Sequence, residues 1–286
     1  MMGKVTIVKP GFFATVQDKG RFGFSKYGVP KSGAMDQLSF AMANLLLDNE
    51  ENDACIEFAF QDLVVEFSED TVIVITGAAM HISLNGRKKD MYRRIKVCKN
   101  DVLEFKYDKT GMYTYLGIEG GFLTPVVLKS RSFYAPITKE SVLKKGDELP
   151  YMINEMHNDQ FSNISKPLWL DNSNIVEVYT GPEYALLSQE QKSMLLSIDF
   201  TISNTVSRMA MQLVEKLPND LPSMLTSPVL PGTIQLTPSG GLIVLMRDCQ
   251  TTGGYPRVLQ LNQTSINTMA QKRVGEKIQF KLLEEK

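Results

Sequence analysis

The chain has 286 residues, of which 43% are hydrophobic and 22% are charged, as in a globular protein with a sizeable core. Its 31 basic and 32 acidic residues nearly cancel, so we expect neither nucleic acid nor an anionic membrane surface as a partner. No apolar run approaches the ~20 residues that cross a bilayer, and the amino terminus lacks a secretory signal pattern. These features predict a cytoplasmic protein.

Short predicted strands separated by turns dominate the chain. ACIEFAF, from Ala54, alternates apolar and polar residues, and TVIVITG, from Thr71, ends on a glycine. Asn85-Gly86 lies between two such runs and predicts a tight hairpin turn. Strands in this pattern, without regular intervening helices, predict antiparallel sheets or barrels.

Two short helices are predicted among these strands. In the first, a stripe of Leu38, Met42, Leu45 and Leu46 would face a sheet, and Asp48-Asn49 would end the helix. The second begins at Pro182, because proline is tolerated in a first turn, and places its apolar residues Leu186, Leu187 and Met194 at helical spacing with Glu190.

A polar, Asn- and Ser-rich stretch divides the chain near residues 155–172. We therefore predict two domains, residues 1–160 and 161–286. A weak internal sequence similarity suggests that the two halves are related. Asp18 is followed by glycines and Tyr27, and Asp248 is followed by a Gly-Gly pair and Tyr255. Each of these segments leads toward a short helix-like piece.

The sequence lacks the motifs of several common binding and catalytic sites. There is no P-loop, no paired-cysteine zinc spacing and no Gly-x-Ser-x-Gly elbow. The two histidines, His81 and His157, lie in a strand and in the predicted connection, which disfavours a histidine-dependent hydrolase. No metal site is predicted. No lysine is flanked by two methionines, so we expect no covalently attached biotin.

Two loops collect the residue types that bind ligands. In QDKGRFGFSKYGVPKSGAMD, from Gln17, glycines allow close approach to backbone N–H groups, and arginine can grip an anion with paired hydrogen bonds. RDCQTTGGYPRVLQ, from Arg247, follows an apolar strand that can hold polar groups rigidly. Either loop could also be a solvated turn. The predicted small-molecule ligand residues are Gln17, Gly20, Tyr27, Ser32, Gly33, Arg131, Gln250, Thr251, Thr252, Gly253, Gly254 and Tyr255.

The order of several motifs resembles the family called allophanate hydrolase subunit 2, or biotin-dependent carboxyltransferase-like proteins. The motifs are TVQDKGRFGFSKYGVPKSGAMD, VITGA, GIEGGF, KSRS, YTGPE, SRM, GTIQL and DCQTTGGYP, and they cover the chain from Val5 to about Phe280. The family includes a subunit of bacterial 5-oxoprolinase, the carboxyltransferase region of urea carboxylase and an antagonist of a sporulation-kinase inhibitor. The chain departs from the family pattern between Val206 and Gln212.

The resemblance implies a mainly β fold with two cyclophilin-like β-barrel domains and a few short helices. It also implies an ATP-dependent opening of 5-oxo-L-proline to L-glutamate, with the B and A subunits of 5-oxoprolinase as partners, and with ATP and Mg as cofactors. In this interpretation the lactam is activated by phosphorylation, and an arginine holds the substrate carboxylate. The candidate catalytic residues are Asp18, Arg21, Asp36, Arg208 and Asp248.

Two alternatives use the same fold. A regulatory protein would bind a partner similar to the B subunit without turnover. A carboxyltransferase would act on biotin carried by another protein.

Overall fold

The computed structural model describes residues 1–59, 62–108, 110–153, 174–222 and 224–283. These residues fall into two units. The first contains Met1–Arg21 and Ser32–Leu170, and the second contains Phe22–Lys31 and Asp171–Lys286. The predicted connection near residues 155–172 and the predicted boundary at 160/161 lie outside the described residues, so the boundary stays a prediction.

The first unit consists of two antiparallel sheets, one of six strands and one of five. The six-stranded sheet has the order β11-β1-β4-β9-β6-β7, and the five-stranded sheet has the order β2-β3-β10-β5-β8. The strands are β1 Met2–Lys9, β2 Phe13–Gln17, β3 Cys55–Ala59, β4 Val64–Phe67, β5 Thr71–Gly77, β6 Met80–Leu84, β7 Arg87–Lys89, β8 Ile95–Val97, β9 Val102–Tyr107, β10 Tyr113–Ile118 and β11 Glu148–Met152.

One hydrophobic core joins the two sheets of this unit. Val65 and Phe105 from the larger sheet and Ile56 and Phe58 from the smaller one are buried in the same cluster. The rings of Phe58 and Phe105 meet edge to face with centroids 4.8 Å apart, a favoured aromatic geometry. The burial of apolar side chains between the sheets is the main force that holds this unit together.

The second unit contains a closed barrel of seven strands in the order β12-β19-β16-β17-β14-β13-β20. Phe200 and Phe280 pack together with ring centroids 5.2 Å apart, and both are buried. A separate two-stranded ribbon joins β15 and β18. The strands are β12 Ile175–Thr180, β13 Phe200–Val206, β14 Ala210–Lys216, β15 Ser227–Pro228, β16 Thr233–Leu236, β17 Gly241–Leu245, β18 Thr252–Gly253, β19 Arg257–Leu261 and β20 Lys277–Leu282. The mainly β prediction is confirmed.

The described residues form three α-helices: α1 Gln37–Leu47, α2 Gln189–Ser197 and α3 Gln263–Ala270. The predicted stop of α1 is confirmed, because Asp48 adopts the left-handed conformation. The predicted stripe of α1 is confirmed at Leu46, which is buried, and at Met42, which packs against the core, but it is wrong at Leu45, which is 68% exposed. Phe40 and Ala43, outside the predicted stripe, are buried. No helix in the described ranges is both long and apolar enough to cross a membrane, and a cytoplasmic location stays a prediction.

The predicted start of α2 at Pro182 is also wrong. The helix begins at Gln189, because Ser188 forms a capping box with Gln191, and only a 3₁₀ turn, Tyr184–Leu186, precedes it. The sequence-based prediction does not include α3, because most of its side chains are polar and they obscure the periodicity of its apolar residues. Residues after Tyr255 continue into the strand β19 and not directly into a helix.

The predicted hairpin turn at Asn85-Gly86 is confirmed. Both residues have positive φ, at 51° and 74°, and they connect β6 to β7. This is the conformation for which Asn-Gly is favoured.

Candidate functional site

Asp18 lies directly after β2, and its carboxylate is enclosed by donors from two loops. Its Oδ1 accepts hydrogen bonds from the Gly20 N–H at 2.8 Å, the Ser130 hydroxyl at 2.7 Å and the Ser132 hydroxyl at 2.6 Å. Its Oδ2 accepts from the Arg131 N–H at 2.6 Å. Because four donors hold this fully buried carboxylate, its geometry is that of an anchor between the loops. Its catalytic role stays a prediction.

Arg21 and Gln17 lie on either side of this anchor and reach the same neighbouring segment. The Arg21 guanidinium, in a residue only 1% exposed, donates through Nη2 to the Ser132 carbonyl oxygen. The Gln17 amide donates to the Thr15 hydroxyl at 3.1 Å and to the Phe133 carbonyl at 3.3 Å. The Gln17 Oε1 is buried and has no hydrogen-bond partner among the described residues. The two side chains therefore donate to consecutive carbonyl groups, and a buried amide oxygen without a partner could accept a hydrogen bond from a ligand.

Arg131 contributes its backbone N–H to Asp18, while its side chain turns elsewhere. Its guanidinium donates through Nη1 to the Thr124 carbonyl oxygen. The preceding turn holds Leu128 and Lys129 at φ 50° and 63° between two hydrogen bonds that link Val127 and Ser130. Both central residues of this turn occupy a conformation that costs energy for a residue with a side chain.

The segment Ser32–Asp36 completes the first site. Ser32 is fully buried at φ 55°, and its hydroxyl has no hydrogen-bond partner in the part of the chain that the structure describes. Gly33 lies against the loop of Asp18: a Cβ on this glycine would stand 2.7 Å from the Lys19 carbonyl oxygen, so no other residue fits. Asp36 caps α1, since its carboxylate accepts from the Leu38 and Ser39 N–H groups and from the Ser39 hydroxyl.

A row of polar side chains crosses the five-stranded sheet beneath this segment. Thr15, Glu57, Tyr115 and Thr76 are paired in register on β2, β3, β10 and β5, and each is at most 1% exposed. The Tyr115 hydroxyl donates to Glu57 at 2.8 Å, and burial together with Glu57 and Asp36 raises its pKa well above the usual value. Sequence analysis missed this row because alternation on β3 predicts a half-exposed strand, whereas all of Cys55–Ala59 is buried.

In the second unit, Arg208 and Asp248 form a two-pronged ion pair. The Arg208 Nε lies 2.7 Å from Asp248 Oδ2, and its Nη2 lies 3.1 Å from Oδ1. The two side chains are only 7% and 11% exposed. The Asp248 N–H also donates to the Arg208 carbonyl, so backbone and side chains both link the two loops. The sequence predicts both residues separately, and the structure brings them together.

The rest of the last loop forms a short ribbon with β15. Thr252 and Gly253 pair with Pro228 and Ser227, and the Val229 N–H donates to the Thr251 carbonyl. A Cβ on Gly253 would stand 2.4 Å from the Gln235 amide nitrogen, so a larger residue there would require the Gln235 side chain to move. Gln250, Thr251 and Gly253 are partly exposed, and Thr252, Gly254 and Tyr255 are exposed, as expected for residues available to a ligand.

A second ion pair supports this ribbon, and sequence analysis missed it. The Arg257 guanidinium donates to both carboxylate oxygens of Glu183 at 2.9 and 2.8 Å, and to the Pro228 carbonyl at 2.9 Å. The hydrogen bond from Arg257 holds the pKa of Glu183 below its usual value. Glu183 is the last residue of the YTGPE motif, so this motif could have indicated Glu183 as a candidate residue.

The structure places the predicted site residues in two groups, one in each unit. The first unit brings Asp18, Arg131, Gly20 and Gly33 together. Tyr27, which is 70% exposed, lies in the Phe22–Lys31 segment that groups with the second unit. Whether the two groups form one site stays a prediction.

Other candidate groups have ordinary surroundings. His81 is exposed near Asp108, and His157 lies outside the described residues. Cys55 and Cys249 are buried and Cys98 is exposed, all as free thiols. No group of three or more His, Cys, Asp or Glu side chains within the described ranges is arranged to hold a metal ion. ATP and Mg stay predictions.

Comparisons with known proteins cover nearly the whole chain. It is 31% identical to the C subunit of 5-oxoprolinase from Haemophilus influenzae over 93% of this chain and 87% of that protein. It is also 31% identical to the C subunit of 5-oxoprolinase from Escherichia coli, over 96% and 89% of the two chains. The crystal structure of TTHA0988 superimposes with a TM-score of 0.89 at 24% identity, covering 98% of this chain. This chain spans 56% of the TTHA0988 chain, so that protein contains further polypeptide.

The family comparison agrees with these relatives and with the resemblance predicted from the motifs. The model of the carboxyltransferase domain, subdomain A and B, matches residues 27–282, which include the second loop, Glu183 and Arg208. The chain therefore belongs to the carboxyltransferase domain family, subdomain A and B.

Proposed function

We propose that this chain is the C subunit of an ATP-dependent 5-oxoprolinase, which acts with the B and A subunits to open 5-oxo-L-proline to L-glutamate. The observation that carries this proposal is 31% identity to two proteins of that name over at least 93% of the chain.

The first site supports a small substrate with a carboxylate. A guanidinium can donate two parallel hydrogen bonds to a carboxylate, and Arg21 is buried with one nitrogen oriented by the Ser132 carbonyl. The buried hydroxyl of Ser32 offers a further donor or acceptor for the lactam. We assign Arg21 to the substrate carboxylate and Ser32 to the lactam amide.

The three candidate acids are all engaged by other groups. Asp18 holds two loops, Asp36 caps α1, and Asp248 is paired with Arg208. We therefore propose that this chain binds and orients the substrate and that Arg21 stabilises its negative charge. ATP, accompanied by Mg²⁺, would supply the phosphoryl group that activates the lactam oxygen.

The test is an ATP hydrolysis assay with the chain and the B and A subunits of its own organism. We expect 5-oxoproline to stimulate hydrolysis only in the full mixture, and Arg21→Lys to weaken the response because lysine lacks the planar fork. Arg273→Lys is a matched control, since Arg273 pairs with Glu276 three residues away. Absence of stimulation with all three wild-type proteins would disprove the proposal.

A second candidate follows from the family description. A carboxyltransferase would exchange a carboxyl group with biotin carried by another protein, and the match to a carboxyltransferase domain over residues 27–282 favours it. It predicts that free biotin binds the chain measurably, for example by calorimetry. A regulatory role would instead give a tight complex with the B subunit and no turnover at all, and the complex would survive Arg21→Ala.

A further inference from the structure

We propose that Glu57 and Tyr115 are positioning residues, which hold the Ser32–Asp36 segment so that the Ser32 hydroxyl meets the substrate. This inference rests on the proposed function, because it deepens the role of the same site. The hydrogen bonds that carry it run from the two side chains to the backbone of the segment.

The contacts are short and specific. The Met35 N–H donates to Glu57 Oε2 at 2.7 Å, and the Asp36 N–H donates to the Tyr115 hydroxyl at 2.7 Å. The Tyr115 hydroxyl in turn donates to the same Glu57 oxygen at 2.8 Å. One carboxylate and one phenol therefore fix two consecutive peptide groups of the segment. Burying a carboxylate costs free energy unless hydrogen bonds compensate, and here the compensating donors include the Met35 N–H and the Tyr115 hydroxyl.

The first turn of α1 is held from the same row. The Thr76 hydroxyl donates to the Ser39 carbonyl oxygen at 2.7 Å. Asp36 and Ser39 are also joined by a side-chain hydrogen bond of 2.6 Å. The polar row therefore supports the backbone at residues 35, 36 and 39, and the segment has little freedom to shift along the sheet.

The hydrogen bonds that hold this segment also hold Ser32 in place. Its φ of 55° is unfavourable for a residue with a side chain, and its buried hydroxyl has no hydrogen-bond partner among the described residues. A strained residue with an unsatisfied buried group persists only where its surroundings enforce the conformation. A ligand that accepts or donates at Ser32 would complete the set of hydrogen bonds. Gly33, which contacts the Lys19 carbonyl, limits movement on the other side.

The experiment compares Tyr115→Phe with Tyr151→Phe in the ATP hydrolysis assay with all three proteins. Tyr151 is a matched control: it is also fully buried, and its hydroxyl accepts from the Glu69 N–H and donates to the Glu69 carbonyl, but it belongs to the six-stranded sheet. For Tyr115→Phe we expect KM for 5-oxoproline to rise about tenfold or more, as for a small misplacement of a binding group. Simple loss of folded protein would lower the maximal rate and leave KM unchanged.

A double-mutant cycle tests whether Tyr115 acts through Ser32. Ser32→Ala alone should raise KM, and the double variant should cost little more than either single one, because both remove the same contact. Glu57→Gln provides a second route if Tyr115→Phe does not fold. It should also raise KM and speed hydrogen exchange at the Met35 and Asp36 amides.

The outcomes separate the inference from the proposed function. If the wild type responds to 5-oxoproline but Tyr115→Phe and Tyr151→Phe change KM equally, or if the effects of Tyr115→Phe and Ser32→Ala simply add, the positioning role is wrong and the proposed function stands. If the wild-type complex itself shows no response to 5-oxoproline, the proposed function fails and the inference fails with it.

Discussion

Asp18 in the first unit and Asp248 in the second are both buried carboxylates close after a β-strand, but they are held by different kinds of donor. Two hydroxyls and two backbone N–H groups surround Asp18. The Asp248 carboxylate is held by the guanidinium of Arg208. Neutral donors share the stabilisation among several residues, whereas an ion pair concentrates it in one side chain. We therefore expect the second unit to lose more stability than the first when one donor to its buried carboxylate is removed.

The largest expected effect is that of Arg208→Met. Removing one partner of a buried ion pair leaves an uncompensated charge, so we expect a loss of about 3–5 kcal/mol in the free energy of unfolding. Urea denaturation measures it. Arg273→Met is the control, because its pair with Glu276 is 33% and 25% exposed and should contribute below about 1 kcal/mol. Adding Asp248→Leu to Arg208→Met should recover most of the loss; if it does not, the uncompensated charge is not the cause.

Asp18→Asn is expected to cost less, about 1–3 kcal/mol, because the amide keeps one acceptor oxygen and leaves only part of the donor set unsatisfied. Ser130→Ala removes one of the four donors and should cost about 1 kcal/mol. Both are measured by the shift of the urea transition. A loss for Ser130→Ala as large as that for Asp18→Asn would show that the donors do not share the stabilisation.

Lys129→Gly is expected to stabilise the first unit by about 1 kcal/mol. Lys129 has a φ of 63° in the turn before Ser130, a conformation that glycine adopts without the steric cost of a Cβ. Lys139→Gly is the control: Lys139 is exposed and is not among the residues with positive φ, so glycine there should be neutral or destabilising. Thermal denaturation distinguishes the two, and a decrease in Tm for Lys129→Gly would contradict the strain.

The smallest effect is a change in thiol reactivity near each aspartate. Burial, with Asp53, Asp18 and Glu57 nearby, raises the pKa of Cys55, and burial with Asp248 nearby raises that of Cys249 to about 12. At pH 8 we therefore expect a thiol reagent to label exposed Cys98 first. Asp248→Asn should speed labelling of Cys249, and Asp18→Asn should speed labelling of Cys55, because each removes a negative charge that raises the pKa of the neighbouring thiol. Equal rates for all three thiols in the wild type would contradict the buried positions.

Local chemistry predicts several features of the fold well. The β-branched run TVIVITG, which ends on a glycine, and the Asn85-Gly86 dipeptide predict β5 and the turn between β6 and β7, because strand propensity and positive φ are properties of neighbouring residues. Asp48 predicts the end of α1 for the same reason. The ordered motifs predict the family, which the comparisons confirm.

The errors have a common cause in the packing of distant segments. The alternation on β3 indicates one polar face toward water, but Ser32–Asp36 and α1 cover that face, so Glu57 is buried. The predicted apolar stripe of α1 is wrong at Leu45 because a short helix with apolar residues on several sides has no unique inward face. Pro182 is compatible with a helix start, although Ser188 with Gln191 forms the stronger cap.

The sequence by itself determined the mainly β class, the family and the two loops that contain the candidate residues. Those follow from short-range propensities and from motifs that are read along the chain. Only the tertiary structure decided what the polar residues do: that Asp18 is enclosed by Ser130 and Ser132, more than a hundred positions away, and that Arg208 pairs with Asp248. A buried carboxylate needs donors close by in space, and the donors that the fold brings to it do not follow from its neighbours in sequence.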